Sequence, residues 1–342
     1  MVGGSTSEAI ILDVGHGNAT VFFDDTRAIV VDAGSEDLVT RTLVDHGITE
    51  IAALVVSHSH RDHTSEIPTL LSNPDLCVRK LFINADSSRA PGTPFEHFLR
   101  AGFRDSHQRN STELQQLNET LSRQLETDGL AVEVLWPGSD LAFGGIGSET
   151  EDGGEVDAHD MAAVVRVGLR DGRSVLLCAD LAHEQFVEML AKPGIDLRAT
   201  VLVYPHHGGL SGAANEESFA QELTAAVDPE IVVFSHGRNQ HRNPRPEVVR
   251  GVRAARATPP IRVLCTQLST NCSANPLSAD DRLDPSVRHR GATDGLSCSG
   301  SLRLPLDPTE PLLARGAQHL AFVLSQVDGN LCLATHGTAE KA

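Results

Sequence analysis

A cluster of histidines with one aspartate follows an apolar run early in the chain. The segment "VVSHSHRDHTSEI" (55–67) places His58, His60, Asp62 and His63 within six positions. Alternate side chains of an extended segment share a face, so His58 and His60 can point the same way while Asp62 and His63 turn toward a second position. Two imidazoles for one ion, and a carboxylate with an imidazole for another, are ligand sets typical of Zn²⁺ and related transition metals. The cluster therefore predicts a metal site.

The elements that must position this cluster alternate between strands and helices. Apolar runs of strand length occupy 10–14, 19–23, 27–32, 52–57, 132–135, 161–169, 174–178, 200–204, 261–266, 301–306 and 319–324. A helix is predicted over 182–192, and leucines at helical spacing predict another over 111–129. Strands in two halves with helices between them predict an α/β fold, in which a two-layered sheet core is sandwiched between helices.

The composition is that of a globular protein with a sizeable core. The chain has 342 residues, 40% of them hydrophobic, and we expect one domain over 1–342. No segment reaches the roughly 18 consecutive apolar residues of a membrane span, and the start MVGGSTSEAI lacks the features of a signal peptide. Six scattered cysteines are typical of reduced thiols, so we expect a cytoplasmic protein without a membrane partner. The net charge of −18 disfavours non-specific binding to nucleic acid.

Several motifs follow one another in a recognisable order. They are "LDVGHGNAT" (12–20), "VVDAGS" (30–35), the histidine cluster, "LWPGSD" (135–140), "LLCADL" (176–181), "VYPHHGG" (203–209) and "FSHGRNQHRNPRPEVV" (234–249). The cluster resembles the H-x-H-x-D-H motif of the metallo-β-lactamase fold superfamily. The whole series resembles the hydrolase domain of the ComEC/Rec2 branch and its stand-alone relatives. This resemblance implies an αββα sandwich that holds two divalent ions, Zn²⁺ or Mn²⁺, and cleaves phosphodiester bonds.

The resemblance also implies ligands outside the cluster. Asp180 stands at the position of the aspartate that bridges the two ions, although it could instead be the N-cap of the following helix. His159, which precedes a strand, matches the third histidine of the superfamily. For the histidine that completes the second ion, His206 of "PHHGG" is the preferred candidate, with His236 and His241 as alternatives.

The chain departs from the pattern of the ComEC/Rec2 branch at several positions. His16 replaces a glutamine, Asn18 an aspartate, Ala179 a glycine and Asn243 a histidine. Asn18, Asn243 and the acidic loop 144–157 leave a further hypothesis open, in which the chain is a weakly active, metal-binding regulatory subunit that acts with a protein partner. A homo-oligomer is a further possibility on which the sequence is silent.

Hydrolysis at a pair of ions needs one group that orients water and another that protonates the leaving group. Asp62 or Asp180 suits the first role. His207 or His241 suits the second, because the pKa of histidine lies near neutrality.

Two arginines in the late segment favour a substrate that contains phosphate. Arg238 and Arg242 follow a candidate ligand in an otherwise acidic chain, and arginine can bind phosphate oxygens with two parallel hydrogen bonds. We therefore predict a nucleotide, oligonucleotide or DNA as the substrate. A hydrolase of thioesters, lactones or β-lactams on the same fold is the alternative, because it would use the same metal ligands.

Two segments look like insertions. Residues 84–130 are irregular and are expected to form an insertion or lid beside the site. Residues 266–300 interrupt a predicted strand pair, 261–266 and 301–306. The second segment and its border carry Cys265, Cys272, His289 and Cys298. These four side chains could hold a structural Zn²⁺, or the thiols could simply be small buried residues.

Overall fold

The strands of the protein form two separate sheets. The structure is a computed structural model and describes residues 7–84, 94–149, 154–238, 240–278 and 281–333. One sheet has eight strands and the other has six. Helices cover the outer face of each sheet, which confirms the α/β class and the αββα arrangement of layers.

The first sheet combines an antiparallel half with a parallel half. Its strands are β1 (Glu8–Ile11), β2 (Ala19–Asp24), β3 (Arg27–Ala33), β4 (Glu50–Val56), β5 (Cys77–Val78), β6 (Lys80–Ile83), β7 (Glu113–Gln116) and β14 (Leu302–Pro305). They lie in the order β14-β1-β2-β3-β4-β6-β7, with β5 beside β4. The pairs from β14 to β3 are antiparallel, and the pairs from β3 to β7 are parallel.

The second sheet is built in the same mixed way. Its strands are β8 (Ala131–Trp136), β9 (Val164–Gly168), β10 (Ser174–Leu177), β11 (Val201–Val203), β12 (Ile231–Phe234) and β13 (Arg262–Cys265). They lie in the order β13-β12-β11-β10-β9-β8. The strands from β10 to β13 are parallel, so the residues that follow β10, β11 and β12 emerge at one edge of this sheet.

Helices lie between the strands and after the last strand. They are α1 (Leu38–Asp45), α2 (Arg61–Thr64), α3 (Ile67–Ser72), α4 (Pro94–Asn110), α5 (Ser122–Leu125), α6 (Ser139–Gly144), α7 (His183–Ala191), α8 (Glu216–Val227), α9 (Pro246–Ala254) and α10 (Gly316–Gln326). Helix α8 begins at an N-cap, Asn215, whose side chain accepts hydrogen bonds from two backbone amides of the first turn. Within the described ranges, no helix has both the length and the apolar character needed to cross a membrane.

The core has three layers because both faces of each sheet are buried. Along β3, Ile29 and Val31 pack against the second sheet, whereas Ala28 and Val30 pack under the helices. This alternation follows from the two-residue repeat of a strand. The outer face of the second sheet packs in the same way against α7, α8, α9 and α10. Burial on both faces explains why these strands read as continuous apolar runs.

The helix predicted over 111–129 is wrong. Residues Glu113–Gln116 form β7, which pairs in parallel with β6, and a short helical stretch follows. Leu114 on β7 is 47% exposed, whereas Leu117, just beyond the strand, is fully buried. The free edge of the first sheet thus overrides the local helical spacing of the leucines.

The strand predicted over 319–324 is wrong as well. This region lies in α10, where His319, Phe322 and Val323 are buried and Leu320 and Leu324 are exposed. Buried positions three and four residues apart define one face of a helix. The segment is apolar enough to resemble a buried strand. Only the spacing of its buried residues distinguishes a helix from a strand.

The described part of the first insertion belongs to the sandwich. Residues 85–93 lie outside the described residues. Helix α4 packs against α3, and β7 extends the first sheet. A lid role for residues 84–130 stays a prediction, as does the single domain over 1–342.

The second insertion crosses from one sheet to the other. It leaves the second sheet after β13 and enters the first sheet at β14, so the two strands that the sequence paired are edge strands of different sheets. Buried Asp13 anchors the segment: its carboxylate accepts hydrogen bonds from Gln267 Nε2 at 2.9 Å, Gly291 N at 3.1 Å and Ser297 Oγ at 2.8 Å. One buried carboxylate therefore organises a long polar loop.

We expect Asp13→Ala to lower the free energy of unfolding by about 2–4 kcal/mol, because it leaves several buried donors without a partner. Chemical denaturation measures this difference. The matched control is Asp281→Ala, an exposed position of the same segment, for which we expect a change below about 0.5 kcal/mol. Equal losses in the two variants would contradict the anchoring role of Asp13.

Candidate metal centre

Histidine and aspartate side chains converge at one edge of the two sheets. His58 follows β4, Asp180 follows β10, and His206 and His207 follow β11, while His159 lies in the loop that enters β9. The carboxyl ends of parallel strands lie on the same side of a sheet, and loops at this side commonly form binding sites. The sandwich brings this edge of the first sheet against the same edge of the second.

One group of side chains, here named the first cluster, surrounds one oxygen of Asp180. His58 Nε2 lies 3.5 Å and His206 Nδ1 lies 3.8 Å from Asp180 Oδ2. The ring of His60 lies 4.6 Å from that of His58 and 4.8 Å from that of His159, measured between centroids. The first cluster thus consists of His58, His60, His159 and His206 around Asp180.

The second cluster surrounds the other oxygen of the same carboxylate. His63 Nε2 lies 3.4 Å and His207 Nε2 lies 3.7 Å from Asp180 Oδ1. Asp62 Oδ2 lies 3.2 Å from His207 Nε2. The second cluster thus consists of Asp62, His63 and His207, and Asp180 is shared between the two clusters.

The orientation of His63 depends on a residue that the sequence analysis gave no role. Asp32 Oδ2 accepts a hydrogen bond from His63 Nδ1 at 2.8 Å, which directs Nε2 toward Asp180. The same carboxylate accepts hydrogen bonds of 2.8 Å from the backbone amide and the hydroxyl of Ser57. A carboxylate behind a histidine is the usual way in which proteins orient an imidazole ligand. The motif "VVDAGS" contains this aspartate, so the signal was present in the sequence.

The structure places His207, and not His206, in the second cluster. His206 and His207 have φ of 48° and 55°, so two adjacent side chains in left-handed conformation reach different clusters. His207 Nδ1 donates a hydrogen bond to the carbonyl of Ser235 at 2.7 Å, which leaves Nε2 facing Asp62. The structure thus groups His206 with the first cluster, whereas the sequence analysis assigned it to the second ion.

The two alternative ligands named from the sequence lie outside both clusters. His236 is fully buried, and neither of its ring nitrogens has a hydrogen-bond partner among the described residues. Burial lowers its pKa to about 3. His241 lines the cleft above the clusters, with its ring 5.0 Å from that of His16.

The structure shows the backbone conformation and hydrogen bonds at three positions where the chain departs from the ComEC/Rec2 pattern. Ala179 has φ 45°, in the left-handed region that favours glycine, and its carbonyl accepts a hydrogen bond from His206 N at 3.1 Å. Asn18 acts through its backbone, because its amide donates to the carbonyl of Asp62 at 3.0 Å. The side-chain amide of Asn243 donates to the carbonyl of His206 at 3.2 Å. The contacts at Ala179 and Asn18 are made by the backbone, so the replacements at these two positions leave this part of the site intact.

The charges of the clusters depend on one another. Burial opposes ionisation of Asp180, but the charge of His63 and the neighbouring imidazole of His58 hold its pKa well below the usual range. Burial also opposes the charge of His63, and the carboxylates of Asp180 and Asp32 raise its pKa well above the usual range. For His206 burial dominates and lowers the pKa to about 4. The clusters thus combine ionised carboxylates with at least one neutral imidazole.

Buried nitrogen and oxygen atoms in both clusters have no hydrogen-bond partner among the described residues. These atoms are His58 Nε2, His63 Nε2, His206 Nε2, His207 Nε2 and Asp180 Oδ1. An unpaired buried polar atom costs about 1–3 kcal/mol, so a set of them needs an explanation. Their nitrogen and oxygen donors fit a pair of divalent ions such as Zn²⁺.

The alternative role of Asp180 as a helix cap does not hold. Helix α7 begins after Ala182, and no side chain caps its N-terminus. The carboxylate of Asp180 instead faces His58 and His63.

The clusters form the floor of a cleft of about 370 Å³, which is large enough for a small organic ligand. Its lining residues are His16, His60, Asp62, His159, Asp180, His206, His207, Gly209, Leu210, His241, Asn243 and Arg245. Arg245 precedes α9, and its buried Nε has no hydrogen-bond partner among the described residues. Sequence analysis did not select Arg245, although it lies in the quoted late motif.

Arg238, which the sequence analysis predicted to contact the substrate, does not line the cleft. Its guanidinium is buried and donates hydrogen bonds of 2.7 Å to the carbonyls of Leu268 and Ser273. Arg238 therefore holds the second insertion against β12. Arg242 is exposed and does not line the cleft.

Among the described residues, the four predicted zinc ligands of the second insertion do not come together. His289 Nε2 donates to the carbonyl of Asp284 at 2.8 Å, and its Nδ1 accepts from the amide of Ser301 at 2.8 Å. Both ring nitrogens are occupied by backbone groups, so His289 has no atom left for a metal.

The cysteines lie apart from His289, in an apolar cavity. Cys265, Cys272 and Cys298 line this cavity together with Cys332 and His319. Burial raises the pKa of these thiols, to about 11 for Cys332. Across the described ranges, no cysteine belongs to a group of three ligand atoms close enough to hold a metal ion. The alternative of small buried thiols describes them better.

Comparison with known proteins supports the superfamily. Residues 12–81 match the family model described as "Metallo-beta-lactamase superfamily", a stretch that contains "LDVGHGNAT", "VVDAGS" and the histidine cluster. This match and the αββα architecture agree with the superfamily inferred from the sequence. The ComEC/Rec2-like branch stays a prediction. No curated protein sequence matches the chain significantly.

Solved structures with a similar fold share little sequence with this chain. The metallo-beta-lactamase fold protein YhfI from Bacillus subtilis is 12% identical, over 71% of this chain and 92% of its own, with a TM-score of 0.44. A diphosphatase from the PhnP family is 15% identical, over 67% and 86%, with a TM-score of 0.38. The short form of human tRNase Z is 12% identical, over 67% and 92%, with a TM-score of 0.40. Likenesses at this level do not bear on activity.

We expect Arg238→Ala to lower the free energy of unfolding by about 2–4 kcal/mol, because it leaves two buried carbonyls without donors. Thermal or urea denaturation measures this loss. Arg242→Ala serves as the control, since this exposed side chain should contribute less than about 0.5 kcal/mol. A stable Arg238→Ala variant would show that the two hydrogen bonds do not hold the insertion.

Proposed function

We propose that the chain is a binuclear metal-dependent hydrolase that cleaves phosphodiester bonds. One observation carries this proposal: two clusters of buried ligand atoms share Asp180 on the floor of a cleft that Arg245 also lines. The clusters supply sites for two divalent cations, and Arg245 supplies a third cationic group beside them. Three cationic groups around one cleft match an anionic substrate.

The ligand sets follow from the clusters. His58, His60 and His159 would hold the first ion, with His206 beside them. Asp62, His63 and His207 would hold the second ion, and Asp180 would contact both. Two divalent ions bound there would polarise a phosphoryl oxygen and supply a nucleophile at neutral pH. Zn²⁺ suits this mixture of imidazoles and carboxylates, and Mn²⁺ is the alternative.

Different residues of the cleft orient water and protonate the leaving group. The side chain of Asp62 is 29% exposed and that of Asp180 is 8% exposed, so Asp62 is the carboxylate that can orient water in the cleft. His207 is buried, with Nδ1 bound to Ser235, and acts as a ligand. His241 is exposed on the wall of the cleft and can protonate a leaving group.

The presence of Arg245 in the cleft favours a phosphodiester substrate over the alternative substrates. A guanidinium forms charge-assisted hydrogen bonds with phosphate oxygens, whereas a thioester, lactone or β-lactam presents a neutral reacting group. The net charge of −18 opposes the approach of long polyanions. A nucleotide or a short oligonucleotide therefore fits this cleft better than long DNA.

Removal of the shared carboxylate tests the metal centre. We expect Asp180→Ala to reduce the metal content from about two ions per chain to one or none and to abolish cleavage of bis-p-nitrophenyl phosphate. His60→Ala should lose the first ion only. Elemental analysis measures the metal, and Asp171→Ala, in an exposed turn, is the control that should behave like the unaltered protein.

The same measurements distinguish the alternatives. Asp180→Ala protein that keeps both ions would show that the carboxylate does not join the clusters. Unaltered protein that hydrolyses a thioester or nitrocefin, but no phosphodiester, would favour the second class of hydrolase. Bound metal without any hydrolysis would favour the regulatory subunit.

Arg245 and Arg242 form a natural pair for testing the anion site. We expect Arg245→Gln to lower kcat/KM for a phosphodiester by roughly 10- to 150-fold, which corresponds to a charged hydrogen bond of about 1.5–3 kcal/mol. Arg242→Gln removes the same charge three positions away and outside the cleft, and should change kcat/KM by less than about twofold. Equal effects of the two variants would indicate general charge attraction instead of a specific contact.

A further inference from the structure

His16 lies on a loop that is held tightly against the second cluster. Gly17 and Gly34 enclose the carbonyl of Asp62 so closely that a Cβ at either glycine would overlap its oxygen. The amide of Asn18 donates to the same carbonyl at 3.0 Å, and its own carbonyl accepts from Gly34 N at 2.9 Å. The loop therefore holds His16 in a fixed position relative to Asp62.

The ring of His16 faces the second cluster. Its Nε2 lies 3.7 Å from Asp62 Oδ2, and its centroid lies 4.3 Å from that of His207. His16 Nε2, an Asp62 oxygen and a His207 nitrogen all lie within 4.8 Å of one another. Two imidazole nitrogens thus approach one carboxylate oxygen, and the contact from His16 is longer than a hydrogen bond. This spacing is what a shared cation would require.

The second insertion supports the loop from behind. Arg290 Nη1 donates to the carbonyl of Val14 at 3.1 Å, and Asp13 ties the strand end before the loop to the insertion. Gly237 packs against the backbone of His16, where a Cβ would be too close to His16 N. A long segment of the chain therefore contributes to the position of one imidazole.

We propose that His16 is an additional nitrogen ligand of the second metal position, beside Asp62 and His207. This inference rests on the proposed metal pair and goes beyond it. His207 links the two groups that would form this position, one with His16 and Asp62 and the other with His63 and Asp180, so imidazoles outnumber carboxylates there. A site rich in imidazole favours Zn²⁺, Co²⁺ or Fe²⁺ over Mg²⁺, which prefers oxygen ligands.

A comparison of two histidines tests this ligand. Metal-free protein is titrated with Zn²⁺ against a chromophoric chelator, and the Co²⁺-loaded protein is examined by visible absorption. We expect His16→Gln to weaken one of the two Zn²⁺ affinities at least about tenfold, leave the other unchanged and alter the Co²⁺ spectrum. His241→Gln is the matched control, because its ring neighbours His16 but belongs to neither cluster. It should leave both affinities and the spectrum unchanged.

A second variant separates ligation from folding. His16→Glu replaces the imidazole with a carboxylate of similar reach, so it should recover most of the affinity that His16→Gln loses. Recovery supports ligation, whereas a loss as large as that of His16→Gln overturns it.

The outcomes for the metal pair and for His16 are distinguishable. Two bound ions in both the unaltered protein and His16→Gln, with equal affinities, overturn the role of His16 and leave the proposed function standing. Unaltered protein that binds no ion overturns both.

Discussion

A single buried carboxylate, that of Asp180, lies between two sets of imidazoles, and the rest of the centre depends on this arrangement. An ionised carboxylate is expensive to bury unless opposite charge and hydrogen bonds compensate for the lost water. His58 and His63 provide that compensation, and His63 is itself held by Asp32 behind it. Because Asp180 follows a strand of the second sheet and the histidines follow a strand of the first, their contact joins the two sheets.

The backbone at the centre is strained at three residues beside the clusters. Ala179, His206 and His207 all adopt left-handed conformations, each of which costs about 1–3 kcal/mol in a residue with a side chain. The apolar layers on both sides of each sheet offset this cost, because they hold the ends of β10 and β11 in place. Because of this conformation, two adjacent histidines reach two different clusters from one short turn.

Buried charged side chains hold the polar loop of the second insertion in place. Asp13, Arg238 and Arg282 are buried, and each binds groups of the inserted segment. These three buried charged side chains each form several hydrogen bonds, which order the segment as a structural zinc ion orders smaller domains. The consequence reaches the centre, because the segment supports the loop that carries His16.

The sequence alone determined which side chains could bind a metal ion and placed them at the ends of strands. The spacing of His58, His60, Asp62 and His63 is local, and apolar runs that end in His or Asp predicted the αββα sandwich together with the position of Asp180. Local periodicity failed at 111–129, since an open sheet edge decided the conformation of β7.

Tertiary structure decided which of several chemically equivalent residues face the cleft. His206 and His207 are identical neighbours, and only the left-handed turn and the carbonyl of Ser235 assign them to different clusters. Arg238 and Arg245 belong to one sequence motif. Packing directs the side chain of Arg238 into the second insertion, whereas Arg245 lines the cleft. Side-chain direction at such positions depends on partners distant in sequence, such as Leu268 and Ser273 for Arg238, which no local pattern records.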